Sequence, residues 1–117
     1  MNRFTVLVAA LAVTLWSAAA FAHARLQSST PASNAQLAHA PATLELNFSE
    51  EAKLAVLKLT TAGTQIPVTL DRGVQASKKI VVTLPALQPG TYQVQWSAIA
   101  KDDGHVTKGV FSFVVQG

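Results

Sequence analysis

The stretch Leu87-Gln88-Pro89-Gly90-Thr91-Tyr92-Gln93-Val94-Gln95-Trp96 joins a turn to the start of a strand. Pro89-Gly90 is a turn signal, and Tyr92, Val94 and Trp96 after it alternate with polar residues. This period of two is typical of a half-buried β-strand. Tyr92 stands where a tyrosine corner bonds its hydroxyl back to the backbone and pins a Greek-key crossover. We therefore predict a tyrosine corner, with a plain core tyrosine as the alternative, and we expect Trp96 in the core.

The same alternation recurs in four other short runs of the chain. They are Leu44 to Phe48, Leu57 to Leu59, Ile80 to Leu84 and Phe111 to Val115. Turn residues such as Gly63 and Asp103-Gly104 separate them, and no window after Ala24 sustains a helical stripe. Short strands at this spacing predict an all-β protein, either an antiparallel β-sandwich or a barrel.

The N-terminal segment has the features of a secretory signal. Arg3 precedes an apolar run, and the next charged residue is Arg25. The run ends in Ala20-Phe21-Ala22, which fits the small-x-small cleavage rule. We predict removal of residues 1–22 and export to a bacterial periplasm, which leaves one domain over residues 23–117 and no direct membrane insertion. An uncleaved membrane anchor is the alternative, since about 20 apolar residues can span a bilayer.

The composition limits the chemistry and the partners. The chain has no Cys, so no disulfide supports the fold and no thiolate is available to a metal. Nine Lys and Arg against six Asp and Glu give a net charge of +3. Lys78-Lys79 is the only adjacent basic pair, and no basic stripe alternates with aromatic residues. We therefore exclude nucleic acid as a partner.

His23 becomes the first residue of the chain if the signal is cleaved after Ala22. Its free α-amine and its imidazole Nδ1 can then close a chelate ring on a metal ion. Such borderline nitrogen donors favour Cu(II), which also stands highest in the Irving–Williams order. The alternative is that a histidine follows the cleavage site by accident.

The segment Asp103-Gly104-His105 supplies a second pair of donors. On an extended segment Asp103 and His105 project to the same side, so both can face one metal ion. The alternative is an ordinary Asp-Gly turn followed by a surface histidine. Together with His23, the pair gives amine, imidazole and carboxylate donors suited to a Cu(II) plane. Glu50 is either a solvated carboxylate or a hydrogen-bond partner of a metal-bound histidine.

Two groups of segments, in order along essentially the whole mature chain, carry a family resemblance. The first group is His23-Ala24-Arg25-Leu26, Ser29-Thr30-Pro31-Ala32, Leu37, Pro41 and Leu44-Glu45-Leu46-Asn47-Phe48-Ser49-Glu50. The second group is the stretch from Leu87 to Trp96, Asp103-Gly104-His105, Gly109 and Phe111-Ser112-Phe113-Val114-Val115. In these segments the chain resembles the CopC copper-resistance family, and it is especially similar to the cysteine-free, YobA-like members.

The resemblance implies a periplasmic protein with a Greek-key, immunoglobulin-like β-sandwich of about seven strands. In the family one Cu(II) binds the N-terminal histidine and the Asp and His of the Asp-Gly-His motif, which are His23, Asp103 and His105 here. A glutamate near the metal corresponds to Glu50, as a ligand or as a hydrogen-bond partner. The implied function is to carry or buffer copper in homeostasis or resistance, without catalysis, and to exchange it with a CopD-type inner-membrane protein.

One departure from part of the family concerns methionine. Some CopC proteins hold Cu(I) on a methionine-rich loop, whereas the only Met here is Met1, which leaves with the signal. We therefore expect no thioether Cu(I) site. Two other functions are the alternatives: a metal-free immunoglobulin-like interaction module, and a copper-dependent oxidative enzyme that binds copper through His23 and a second histidine. The Asp103 carboxylate argues against the enzyme, because such enzymes usually leave that position to oxygen or to a weak ligand.

Overall fold

The computed structural model describes residues 24–117. Seven strands make up this part of the chain: β1 (Leu26–Thr30), β2 (Ala35–Leu37), β3 (Thr43–Thr61), β4 (Thr64–Ile66), β5 (Ser77–Thr83), β6 (Gly90–Ala100) and β7 (Val106–Val115). Within residues 24–117 there is no helix long and apolar enough to cross a membrane. The prediction of an all-β protein of about seven strands is confirmed. The predicted signal and His23 lie outside the described residues.

Strand β3 belongs to both layers of a β-sandwich. Its first half pairs antiparallel with β1 on one side and β5 on the other. Its second half pairs with β4 and β6, and β7 and then β2 continue that layer. The sequence pattern predicted two separate strands here, which was wrong. Register shifts between Asn47 and Ala52 and between Leu54 and Val56 bend one continuous strand and break its period of two.

An apolar core fills the space between the two layers. The largest fully buried side chains are Leu44, Leu46, Leu59, Val94 and Phe113. Phe48 of the first layer meets Trp96 of the second edge to face, with ring centroids 5.3 Å apart. Among the described residues no polar or charged residue is buried, so apolar packing holds the sandwich together.

The turn before β6 forms the predicted tyrosine corner. The Tyr92 hydroxyl donates a 2.5 Å hydrogen bond to the carbonyl of Gln88, four residues upstream. The Tyr92 ring is buried and stacks on Phe113, with centroids 5.4 Å apart. Trp96 is only 7% exposed, as expected for a core residue. Both predictions from this stretch of sequence are confirmed.

Strands β6 and β7 form a long antiparallel hairpin. Its register runs without a shift from Gly90 opposite Val115 to Ile99 opposite Val106. The loop that joins the two strands therefore projects from one end of the sandwich. Asp103 and His105 lie on this loop.

Candidate metal centre

The β6–β7 loop is closed by its own backbone. The N–H of Ala100 donates to the carbonyl of His105 at 2.9 Å, and the N–H of Gly104 donates to the carbonyl of Ala100 at 3.0 Å. Gly104 has φ of 71°, in the left-handed region where a glycine is favoured. The segment is thus a tight turn, and the predicted extended conformation of Asp103-Gly104-His105 was wrong.

The turn nevertheless brings Asp103 and His105 into direct contact. The His105 N–H donates to Oδ1 of Asp103 at 3.0 Å, and Nδ1 of His105 lies 2.9 Å from Oδ2 of the same carboxylate. The Asp103 side chain is 25% exposed and the His105 side chain 61% exposed. Metal-binding histidines commonly pair one ring nitrogen with a carboxylate, which sets the ring orientation and leaves the other nitrogen for the metal. The contact thus suits two arrangements, one with Asp103 as a ligand and one with Asp103 as the group that orients His105.

The first described residues are held against the same end of the sandwich. The buried Ala24 accepts a 2.8 Å hydrogen bond at its carbonyl from Oγ1 of Thr107. The N–H of Arg25 donates to Oγ of Ser49 at 2.9 Å, and the N–H of Ser49 donates to the carbonyl of Arg25 at 2.8 Å. Two strands therefore hold the backbone that directly follows His23.

The bend of β3 lies between this N-terminal segment and the hairpin loop. Glu51 contacts the loop, because its carbonyl accepts the N–H of Lys101 at 2.9 Å and its carboxylate lies 3.5 Å from the Lys101 ammonium. Glu50 is exposed, and its carboxylate has no hydrogen-bond or ion-pair partner among the described residues. The backbone around Glu50 is thus linked to the N-terminal segment through Ser49 and to the loop through Glu51.

Residues 24–117 by themselves contain no group of three His, Asp or Glu side chains close enough to hold a metal ion. The hairpin loop contributes two candidate donors, and His23 lies outside the described residues. Sequence reasoning did not identify Thr107 and Ser49, whose hydroxyls hold the N-terminal segment. No local pattern marks them, since the backbone groups they bind are far away in the sequence.

The comparisons with known proteins agree on one family. A model of the CopC domain matches residues 26–116. Protein YobA of Escherichia coli strain K12 is 39% identical over 114 residues, covering 93% of this chain and 91% of the relative. Copper resistance protein C of Xanthomonas campestris pv. juglandis is 35% identical over 121 residues, covering 93% of this chain and 92% of the relative.

A solved structure has the same fold. The crystal structure of PcoC, a methionine-rich copper resistance protein from Escherichia coli, aligns with a TM-score of 0.65 and 29% identity. The alignment covers 80% of this chain and 99% of PcoC. The β-sandwich is therefore shared, whereas the methionine content is not, because the only Met in this chain is Met1.

Proposed function

Because the chain belongs to the CopC family, we propose that it is a periplasmic copper-binding protein that carries or buffers one Cu(II) in copper homeostasis or resistance. One observation carries the proposal. The carbonyl of Ala24 is bonded to Thr107, two residues beyond His105 on the hairpin. The backbone next to His23 is thereby anchored beside the loop that bears Asp103 and His105.

The proposed ligand set combines the N terminus of the mature domain with the β6–β7 loop. After cleavage behind Ala22, His23 offers its α-amine and its imidazole, and His105 offers a second imidazole. The Asp103 carboxylate either completes the set or orients His105. Nitrogen and carboxylate donors without thiolate or thioether suit Cu(II) better than Cu(I). Glu50 is proposed to lie near the ion as a hydrogen-bond acceptor for a ligand.

A carrier must also release its ion, and we propose a CopD-type inner-membrane protein as the exchange partner. The exposed His105 side chain supports this, because an incoming ligand can reach its ring from solvent. Export by a signal over residues 1–22 would bring the protein to the periplasmic side of that membrane. The proposed role is binding and transfer, with no catalytic residue assigned.

Cu(II) electron paramagnetic resonance tests the assignment on two forms of the exported protein. One form begins at His23, as verified by mass spectrometry, and the other carries one extra alanine ahead of it. We expect a single tetragonal signal at one copper per chain in the first form and an altered or absent signal in the second. The extra residue moves the α-amine while leaving the fold and every side chain in place.

Identical spectra from the two forms would remove the amine of His23 from the site. The copper assignment would then depend on Asp103 and His105 alone, which is too few donors for a Cu(II) plane. A chain that binds no Cu(II) in either form would favour the metal-free interaction module.

A further inference from the structure

The second layer of the sandwich has a broad outer face formed by β3, β6 and β7. Leu57, Trp96 and Phe111 point into the core and are buried, so the residues that alternate with them point outward. The strand register then sets the neighbours on the outer face. Three rows lie nearest the hairpin loop: Lys53–Ile99–Val106, Val56–Ser97–Lys108 and Lys58–Gln95–Val110.

We call seven of these residues the hairpin-side patch: Lys53, Val56, Lys58, Ile99, Val106, Lys108 and Val110. Four of them are apolar and between 41% and 60% exposed. Only two other large apolar residues in the described part of the chain are comparably exposed, namely Val74 and Val81. Single exposed apolar residues are normal on a protein surface, whereas the largest clusters of them are often functional.

The charge on the hairpin-side patch has one sign. Its three lysines are exposed, and none forms an ion pair with a described residue. The three rows contain no Asp or Glu, and the next row away from the loop is neutral, with Thr60, Gln93 and Ser112. Acidic residues border the patch at its loop end, where Glu51 is paired with Lys101 and Asp102 and Asp103 lie on the hairpin loop. The lysines thus suit a negatively charged partner, and the exposed valines and Ile99 suit an apolar region beside that charge.

We propose that the hairpin-side patch binds the anionic headgroup surface of a phospholipid bilayer. Lysines near such a surface are attracted to its phosphates, each contributing about fivefold to the partition coefficient. Long lysine side chains can reach the headgroups while their methylene stems cover neighbouring apolar side chains. The valines and Ile99 lie between the lysines and face the outer edge of the acyl region without inserting deeply.

A bilayer fits this surface better than an acidic protein does. Stable protein interfaces contain few lysines and depend on aromatic or arginine side chains as anchors. The patch has three lysines, no aromatic residue and no arginine. Three strands and three rows cover on the order of 300 Å². A standard protein interface buries about 800 Å² on each partner. A fluid lipid surface requires no matching pocket and no fixed lysine conformation.

The proposed contact also orients the molecule. Val106 directly follows His105, so the hairpin loop lies at one end of the patch. A protein bound by this face holds the loop close to the membrane surface. Lipid binding does not depend on the proposed copper function, and it is tested on the metal-free protein so that failure of one leaves the other intact.

Vesicle co-sedimentation tests the proposal with the exported protein, after mass spectrometry has verified removal of residues 1–22. The probes are vesicles of equimolar phosphatidylcholine and phosphatidylglycerol, and vesicles of phosphatidylcholine alone. The test variant is K58Q/K108Q, and the control K78Q/K79Q removes two positive charges from strand β5 in the other layer, one of them from Lys79, which is paired with Glu45. We expect the test variant to lose about thirtyfold in partition coefficient on the anionic vesicles, and the control much less.

Circular dichroism and urea unfolding check that both variants stay folded, which exposed lysine positions allow. Equal losses in the two variants would overturn the proposal, since net charge alone would then account for binding. Equal binding of the wild type to neutral and anionic vesicles would also overturn it. Failure of the wild type to bind either vesicle would likewise overturn the proposal.

Discussion

The hydroxyl of Thr107 donates a 2.8 Å hydrogen bond to the carbonyl of Ala24, although the two residues are 83 positions apart. This contact joins the start of the described chain to the strand that follows His105. In the proposed copper site, this bond would keep the ligand at the N terminus close to the ligands on the distant hairpin.

Replacement of Thr107 by valine should therefore weaken Cu(II) binding. The variant keeps the side-chain shape but leaves the partly buried carbonyl of Ala24 without its donor, at a cost of about 1 kcal/mol, or about fivefold in affinity. Competition with a chromogenic chelator measures the affinity. Thr107→Ser keeps the hydroxyl and should bind nearly as the wild type does. Equal affinities for the valine and serine variants would show that the bond does not position the site.

Asp103 and Asp102 form a matched pair for a second test. Asp103 contacts the N–H and Nδ1 of His105, whereas no contact of Asp102 is seen among the described residues. Asp103→Asn should lower Cu(II) affinity about 10- to 100-fold, whether the carboxylate ligates or orients the imidazole. Asp102→Asn removes the same charge one position away and should leave affinity nearly unchanged. Equal losses of Cu(II) affinity in the two variants would mean that long-range charge, and not the contact with His105, accounts for the effect.

Reduction of the bound copper should weaken its binding. After removal of Met1 the chain offers no thioether and no thiolate, and its nitrogen and carboxylate donors suit Cu(II) better than Cu(I). Ascorbate added to the copper-loaded protein in the presence of bicinchoninate should transfer the metal to this Cu(I) chelator. The same mixture without ascorbate is the control. Retention of Cu(I) against the chelator would mean that ligands other than the proposed nitrogen and carboxylate donors hold the metal.

Gly109 lies under the ring of Trp96 and should not tolerate a side chain. A Cβ there would lie 2.8 Å from Cζ2 of the indole, which is closer than packed atoms approach. Gly109→Ala should lower the free energy of unfolding by about 1–3 kcal/mol, because the rigid ring must shift within the core. Urea unfolding measures the change.

Gly73→Ala is the matched control for this substitution. A Cβ at Gly73 would meet Asp71 at 3.5 Å, an ordinary contact, and its φ lies outside the left-handed region. The control should change the free energy of unfolding by less than about 0.5 kcal/mol. Similar values for the two variants would mean that the indole moves aside at little cost.

Local patterns in the sequence were enough to predict most of the sheet. The alternation around Leu44 to Phe48 and Tyr92 to Trp96 identified strands, because one face of each is buried. The pattern failed at Ser49-Glu50-Glu51, where β3 bends and a bulge interrupts the period. The short strands β2 and β4 also carry too few residues for a period to be visible.

The fold class, the tyrosine corner, the family and the candidate donors could all be predicted without a structure. Each depends on residues close together along the chain or on a matching order of motifs. Three further relationships became visible only in the folded chain. They are the continuity of β3 through both layers, the bond from Thr107 to Ala24, and the grouping of Lys53, Lys58 and Lys108 on one face. Each joins residues from distant segments, and such pairs meet only when strand pairing and core packing bring them together.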